Sequence, residues 1–282
     1  MLIKIKSKQK RKKWKIIENN KKSVLITGAS SGIGYELSKI FARNGFNLIL
    51  IARNKTKLIQ LSNYLINTFH VDIKIIIKDL NKDTAAEDIF NEIKEKKIKV
   101  HTLINNAGIG YCGIFHNTNI EKDLYIIYTN IRSLTILTKL FSKEMVKNGE
   151  GNILNVASTG AYQPGPYIST YYASKAYVLS FSQAIRNELK NYKVNVSVLC
   201  PGATLTSFSK NAGKKDIKNS MSPKKVAEIA YKGLKKKKGV IIPGTFNKTA
   251  IIFSKLLPGY ISAKIVRKIQ ESVTINWFVY LF

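Results

Sequence analysis

The chain alternates short apolar runs with longer amphipathic stretches, and this alternation is the feature that most constrains its fold. Seven apolar runs predict strands, at residues 23–27, 47–52, 71–77, 100–104, 152–156, 194–199 and 240–242. The stretches between them predict helices, at residues 32–44, 55–67, 84–96, 120–147, 170–191 and 223–236. Strands joined through helices pair in parallel, because the helix returns the chain to the same end of the sheet. We therefore predict an α/β fold of Rossmann type: a doubly wound parallel sheet of about seven strands with helices on both faces.

The length of 282 residues and a 45% share of hydrophobic residues are enough for a single domain with a full core. We place this domain at residues 23–245 and interpret the irregular segment 203–222 as a lid over a ligand site. Cys112 and Cys200 are far apart, which predicts reduced intracellular thiols and not a disulfide. Only three His are present, and no Cys/His cluster has ligand spacing, so no metal site is expected.

The formal net charge of the chain is +30, and residues 1–22 hold ten Lys and Arg against one Glu. This segment has neither the apolar core nor the cleavage site of a secretory signal, so we predict a disordered basic arm on a cytoplasmic protein. Lys, Asn and Ile are abundant throughout the chain, which indicates a general compositional bias. Because no recognition motif accompanies the charge, specific binding to nucleic acid is not expected.

A glycine-rich turn, TGASSGIG, joins the first predicted strand to the first predicted helix. Glycine permits left-handed backbone and close approach to a ligand, and the helix N-terminus offers free amides to a phosphate. A simple tight turn is the alternative, but the position between a strand and a helix favours dinucleotide binding. The expected contact residues in this turn are Gly28, Ser30, Ser31, Gly32, Ile33 and Gly34.

The end of the second predicted strand indicates which dinucleotide binds. Ala52 stands where an NAD-binding protein has an acidic residue for the ribose diol, and Arg53 follows immediately. A guanidinium at that position favours the additional 2′-phosphate of NADP. The alternative is a solvated surface arginine.

Two further segments follow predicted strands and fit the adenosine part of the same ligand. Asp79 is a candidate acceptor for the adenine amino group with Leu80 packed nearby, although Asp79 is also a candidate cap for the next helix. The NNAG segment contributes Asn105, Ala107 and Gly108. Its small residues let the backbone pass close to adenosine, and its Asn side chains can tie neighbouring strands together. Its alternative is a polar turn.

A tyrosine and a lysine with helical spacing indicate acid–base chemistry. Tyr171 and Lys175 stand four residues apart, and Ser158 lies thirteen residues before Tyr171. A spacing of four places the phenol and the ammonium on one helix face, where the positive charge favours the phenolate and lowers the pKa of the tyrosine. Such a tyrosine exchanges a proton with a carbonyl or alcohol. Tyr172 is three residues from Lys175, so helix geometry alone does not choose between the tyrosines.

Taken in order, TGASSGIG, NNAG, Asn130, Ser158, Tyr171 with Lys175 and the PG pair at 201–202 closely resemble the short-chain dehydrogenase/reductase family. Longer stretches such as NVASTGAYQPG and VLCPGATLTSF are similar to the bacterial DltE-like branch. The resemblance implies that Tyr171 is the general acid and base, and that Lys175 holds the nicotinamide ribose. It also implies that Ser158 binds the substrate carbonyl.

The same resemblance implies roles for residues that spacing does not single out. Asn130 is expected to hold a water that links Lys175 to solvent, with a polar residue inside a helix as the alternative. Family members usually pair through two long helices, here 120–147 and 170–191, which predicts a homodimer or homotetramer. The loop that faces the nicotinamide is expected to comprise Pro201, Gly202, Thr204 and Thr206.

Residues 246–282 form a basic amphipathic tail that ends in an aromatic group, Trp277, Phe278, Tyr280 and Phe282. This pattern favours either a peripheral contact with the inner face of an anionic membrane or packing on the domain or across a dimer. No apolar run reaches the roughly 20 residues of a membrane-spanning helix.

The sequence therefore predicts an NADP-dependent oxidoreductase that moves a hydride between NADP(H) and a carbonyl or secondary alcohol. Hydrophobic ketones are the substrate class that suits an enzyme beside a membrane. Two other classes remain as alternatives. One is a non-catalytic NADP-binding protein with a regulatory or membrane-surface role, and the other binds nucleic acid through its lysines.

Overall fold

Seven strands form one parallel sheet in the computed structural model of the protein, which describes residues 22–215 and 220–274. The strand order is β3-β2-β1-β4-β5-β6-β7, so the order reverses between β1 and β4. At such a switch point the loops at the carboxyl ends of the strands diverge and leave a crevice for a ligand. The strands are β1 (Ser23–Thr27), β2 (Asn47–Ala52), β3 (Ile73–Ile77), β4 (Val100–Asn105), β5 (Gly151–Val156), β6 (Val194–Leu199) and β7 (Val240–Ile241).

Helices cover both faces of this sheet. Helices α1, α2 and α8 pack on one face, and α3, α5 and the last turns of α6 pack on the other. The predicted α/β fold with a doubly wound parallel sheet is confirmed. The α-helices of the described segments are α1 (Gly32–Arg43), α2 (Lys55–Phe69), α3 (Ala85–Glu95), α4 (Ile120–Ile127), α5 (Ser133–Lys147), α6 (Ser169–Leu189), α7 (Ser207–Asn211), α8 (Pro223–Lys235), α9 (Thr245–Leu256) and α10 (Gly259–Val273).

The central strands are buried along almost their whole length and consist mostly of apolar residues, because helices cover both of their faces. In β1, Val24 and Ile26 pack under α1 and α8, whereas Leu25 packs under α3 and α5. All three side chains are fully buried. The two cysteines, Cys112 and Cys200, are buried and free, as the sequence predicts.

Three predicted elements differ in detail from the observed ones. Strand β3 begins two residues late, because α2 continues to Phe69 and ends at His70 in the left-handed conformation with φ of 52°. The single helix predicted at 120–147 contains a π-helical turn, Tyr128–Arg132, between α4 and α5. The segment 203–222, interpreted as irregular, contains the short helix α7, because the Thr206 hydroxyl caps it by accepting from the amide of Phe208.

The segment after residue 245 forms two helices, α9 and α10, within its described part. The basic arm predicted at 1–22 lies, apart from Lys22, outside the described residues, as does the aromatic group at the end of the chain. In the segments that the structure describes, no helix is long and apolar enough to cross a membrane.

Candidate active site

The glycine-rich turn lies at the carboxyl end of β1, at the switch point of the sheet. Gly28 and Gly32 have left-handed backbone, with φ of 66° and 56°. A Cβ on Gly34 would lie 2.4 Å from the carbonyl oxygen of Gly28, so the turn closes on itself only with glycine there. Helix α1 starts at Gly32, and the side chain of its N-cap residue, Ser31, makes no capping hydrogen bond. Free amides and the Ser31 hydroxyl therefore lie where a pyrophosphate would bind.

The NNAG segment after β4 is tied to this turn. The Thr27 hydroxyl accepts from the amides of Asn106 and Ala107, both at 3.0 Å. The Asn106 side chain donates to the carbonyl oxygens of Thr27 at 3.0 Å and Gly28 at 3.2 Å. These hydrogen bonds fix the turn against the end of β4, so the segment is more than a polar turn.

Asn105, which the sequence places in the cofactor site, directs its side chain into the core, where it ties neighbouring strands together as the sequence also predicts. Its amide nitrogen donates to Thr138 Oγ1 and to Asn155 Oδ1, each at 2.9 Å. Only 3% of the residue is exposed. The Asn105 side chain therefore joins β4 to β5 beneath the site, and only its backbone lies along the crevice.

A tyrosine on α4 connects Asp79, the residue expected near adenine, with Arg53, the residue expected near the 2′-phosphate. Tyr125 on α4 donates to both carboxylate oxygens of Asp79 at 3.1 Å. The Arg53 guanidinium donates to the Tyr125 hydroxyl and lies 5.7 Å from the centre of its ring. The interpretation of Asp79 as a helix cap is wrong, since α3 begins after Thr84. Leu80 is buried in the core beside this group.

Tyr171 lies at the start of α6, and its hydroxyl lies beside the Ser158 side chain, which follows β5. Burial raises the pKa of Tyr171 above its usual value, and the neighbouring Ser158 hydroxyl opposes this by favouring the phenolate. The expectation that Lys175 lowers the pKa of Tyr171 toward neutrality is wrong for this structure. The Lys175 ammonium lies 5.7 Å from the centre of the Tyr171 ring and donates instead to the carbonyl oxygen of Val156 at 2.8 Å.

The hydroxyl of Tyr172 has a different partner from that of Tyr171. This difference distinguishes the two tyrosines, which helical spacing alone does not. Its hydroxyl accepts from Gln270 on α10 at 3.1 Å. Its ring packs against the backbone of Gly160 and Gly165. Of the two tyrosines, only Tyr171 has its hydroxyl beside Ser158, so the geometry favours Tyr171 as the residue that meets a substrate oxygen.

Lys175 and Asn130 meet beside Gly108. A Cβ on Gly108 would lie 3.0 Å from Lys175 Nζ and 3.5 Å from Asn130 Oδ1. Asn130 lies in the π-helical turn and bonds both backbone groups of Ile109, accepting at 3.0 Å and donating at 2.9 Å. It also donates to Ser174 at 3.0 Å. Asn130 thus anchors the chain after NNAG next to the lysine, a role that the sequence does not reveal.

The loop after β6 reaches both the glycine turn and the tyrosine. A Cβ on Gly32 would lie 2.9 Å from the methyl group of Thr206, so this threonine borders the pyrophosphate position. The Thr204 hydroxyl donates to the carbonyl oxygen of Gly202 at 3.0 Å and so shapes the Pro201–Gly202 turn. Phe208 on α7, which sequence reasoning missed, places its ring 5.1 Å from that of Tyr171. An aromatic residue directly after a helix cap in the lid segment was the available signal.

A glycine turn at the switch point of a parallel sheet, facing a phenol and a buried lysine, defines a nicotinamide-dependent oxidoreductase. The family model described as short chain dehydrogenase matches residues 22–217. The chain belongs to the short-chain dehydrogenase/reductase family. It is accordingly an enzyme that transfers a hydride between a nicotinamide cofactor and the carbon of a carbonyl or alcohol group in a small molecule.

Individual relatives agree with this assignment. Dehydrogenase/reductase SDR family member 7B of Xenopus tropicalis is 30% identical over 271 residues, which are 88% of each chain. Human 17-beta-hydroxysteroid dehydrogenase type 3 is 37% identical over 190 residues, 66% of this chain and 60% of the relative. A solved short-chain dehydrogenase from Sphingobium yanoikuyae in complex with NADPH is 30% identical, with a TM-score of 0.77 over 83% of this chain and 94% of that one. The DltE-like branch stays a prediction.

Replacing Gly34 with alanine is expected to weaken cofactor binding, because the new methyl group would meet the Gly28 carbonyl oxygen and the Asn106 side chain at about 2.5 Å. Overpacking of this kind costs about 1–3 kcal/mol. Thermal unfolding and fluorescence titration with the reduced cofactor measure the two effects. Gly259→Ala is the control, since no atom lies within 4 Å of its added Cβ. Equal behaviour of the two variants would contradict the closed turn.

Proposed function

We propose that the protein uses NADP(H) and interconverts a hydrophobic ketone or aldehyde with the corresponding alcohol. The observation that carries the cofactor choice is the pair at the end of β2. Ala52 leaves no carboxylate for the ribose diol, and the exposed Arg53 brings a guanidinium to that position. A relative that is 30% identical binds NADPH, which supports the same choice.

The cofactor fits the residues present. The closed glycine turn and the first amides of α1, which have no carbonyl partner within the helix, suit its pyrophosphate. Asp79 and Tyr125 offer a polar edge for adenine, and Arg53 lies beside them for a phosphate. Lys175, with Gly108 against its ammonium, is placed to hold the nicotinamide ribose.

In the reducing direction Tyr171 is the proton donor. When bound, the cofactor would supply the hydride that the carbonyl carbon accepts. Ser158 holds the carbonyl oxygen, and the phenol of Tyr171 gives its proton to that oxygen as the alcohol forms. Because burial raises the pKa of Tyr171, the phenol is protonated at neutral pH and ready to donate. The phenolate left behind regains a proton from solvent, and in alcohol oxidation it accepts the hydroxyl proton.

Aromatic side chains around the reacting oxygen support a hydrophobic substrate. Phe208 and Tyr172 flank Tyr171, with ring centres at 5.1 and 6.1 Å. Cys112 is buried close to Tyr172, and burial raises the pKa of its thiol to about 11, so it remains neutral. A 37% identical relative is named for hydroxysteroids. Bulky cyclic and long-chain ketones are therefore the substrates to screen first.

The cofactor proposal is tested with Arg53→Ala. We expect the Kd for NADPH to rise about 10- to 100-fold, because a hydrogen-bonded charge pair contributes about 1.5–3 kcal/mol. The Kd for NADH is expected to stay close to that of the wild type. Titration of nicotinamide fluorescence measures both constants.

Lys57→Ala serves as the matched control, since Lys57 is an exposed cation one turn into α2. We expect it to bind both cofactors as the wild type does. A similar loss for NADPH and NADH in Arg53→Ala would overturn the assignment of Arg53 to the 2′-phosphate. Failure of the wild type to bind either nucleotide would favour a non-catalytic role.

A further inference from the structure

Helices α9 and α10 carry a concentration of exposed apolar side chains. Phe246, Phe253, Leu256 and Tyr260 are each between 67% and 81% exposed. Single exposed apolar residues are common on proteins, but a contiguous group marks an interaction site. We call this group the α9–α10 surface, and it comprises Phe246, Ile252, Phe253, Leu256, Leu257 and Tyr260.

The opposite faces of the same helices are packed against the domain. Ile251 on α9 and Val266 on α10 are 5% and 3% exposed. Asn247 packs on Gly202, and Gln270 donates to Tyr172. The fold therefore already fixes both helices through their inner faces, and the exposed apolar residues are not needed for that packing.

The charge around this surface is almost entirely positive. Residues 245–274 contain five exposed cations, Lys248, Lys255, Lys264, Arg267 and Lys268. The one acidic residue in this segment, Glu271, forms an ion pair with Arg267 at 3.0 Å. A second copy placed on this surface would bring like charges together, and the whole chain carries a net charge of +30. A surface that is both apolar and cationic is complementary to an anionic bilayer.

The surface borders the substrate side of the enzyme. Lys264 and Arg267 on α10 line a cleft of about 400 Å³ together with Ile114, Pro166 and Tyr167. Gln270, one turn further along α10, contacts Tyr172 beside Tyr171. A bilayer on the α9–α10 surface would thus lie beside this cleft.

We propose that the α9–α10 surface docks on an anionic lipid bilayer. The apolar side chains of α9 and of the turn after it enter the boundary between head groups and acyl chains. Lys264 and Lys268, which follow Tyr260 at helical spacing on the outer face of α10, lie at the level of the lipid phosphates and add electrostatic attraction. The protein binds as a peripheral protein, with the cleft beside α10 facing the lipid.

The test is sedimentation of the full chain with vesicles at physiological salt. Phosphatidylcholine vesicles are compared with vesicles in which phosphatidylserine replaces about a third of that lipid. We expect the wild type to bind the anionic vesicles and to bind the neutral ones far less. The double variant Phe253→Ser with Leu256→Ser is expected to bind the anionic vesicles at least about tenfold more weakly, because two apolar side chains that would enter the bilayer are lost.

The control is Ile59→Ser with Ile66→Ser, which removes two exposed apolar residues from α2 and is expected to bind as the wild type does. Titration with NADPH monitors folding of every variant, and it reports failure of the cofactor assignment separately from failure to dock. Equal vesicle binding by the Phe253/Leu256 variant and the wild type would overturn the proposal, since the basic charge alone would then account for binding. Equal binding to neutral and anionic vesicles would show that the Lys and Arg side chains of this surface do not contribute to docking. If the wild type did not bind vesicles but formed an oligomer that dissociated in the double variant, the α9–α10 surface would contact a second copy of the chain and not a bilayer.

Discussion

Tyr171→Phe is expected to lower kcat for ketone reduction by about 10²- to 10⁴-fold, the range that a positioned general acid supplies. The change removes the phenol hydroxyl beside Ser158 but keeps the ring that packs on Phe208. Binding of NADPH is therefore expected to remain close to that of the wild type. The oxidation of NADPH with a panel of bulky ketones measures turnover, and nicotinamide fluorescence measures binding.

Tyr172→Phe is the matched control for this experiment. It removes an adjacent phenol from the same helix, but that hydroxyl is hydrogen-bonded to Gln270 and not to Ser158. We expect turnover within a fewfold of the wild type. If Tyr172→Phe lost activity while Tyr171→Phe kept it, the general acid would be Tyr172. If both variants turned over like the wild type, acid catalysis by either phenol would be excluded.

The positions of the strands could be predicted from the sequence because parallel strands are buried on both faces. Each central strand is therefore rich in apolar residues, such as Val24–Ile26 in β1. Strand β3 is at the edge of the sheet and three of its five side chains are only partly buried, so the start of this strand is predicted less accurately. The π-helical turn after α4 has no signature in the residue pattern, since it depends on the contact of Asn130 with Ile109.

The candidate site was predictable where each residue directly follows a strand or lies one helical turn from its partner. The turn at Gly28–Gly34 and the spacing of Tyr171 and Lys175 are of this kind. The partners from distant segments were not predictable. Tyr125 meets Asp79 across 46 residues, and Gln270 meets Tyr172 across 98 residues. Only the packing of α4 and α10 onto the domain brings these pairs together.

Lys175→Met is expected to abolish most of the turnover and to change how stability depends on pH. Lys175 is 4% exposed, and burial lowers the pKa of its ammonium to about 8. In the unfolded chain the pKa is about 10.4. Between these values the unfolded state binds more protons, so the free energy of unfolding rises with pH. Below pH 8 both states are protonated, and the folded state carries the full cost of a buried charge.

The difference in the free energy of unfolding between the wild type and Lys175→Met isolates this effect from the other ionisable groups. We expect the difference to shift in favour of the wild type by about 3 kcal/mol as the pH rises from 7 past 10. The kcat/KM of the wild type for reduction is expected to fall above pH 8, where the ammonium loses its proton. Denaturant titrations across this pH range measure the first effect, and a pH–rate profile measures the second. If the free energies of unfolding of the two proteins changed with pH in parallel, Lys175 would keep an ordinary pKa. Its burial beside Val156 and Gly108 would then not destabilise the charged form.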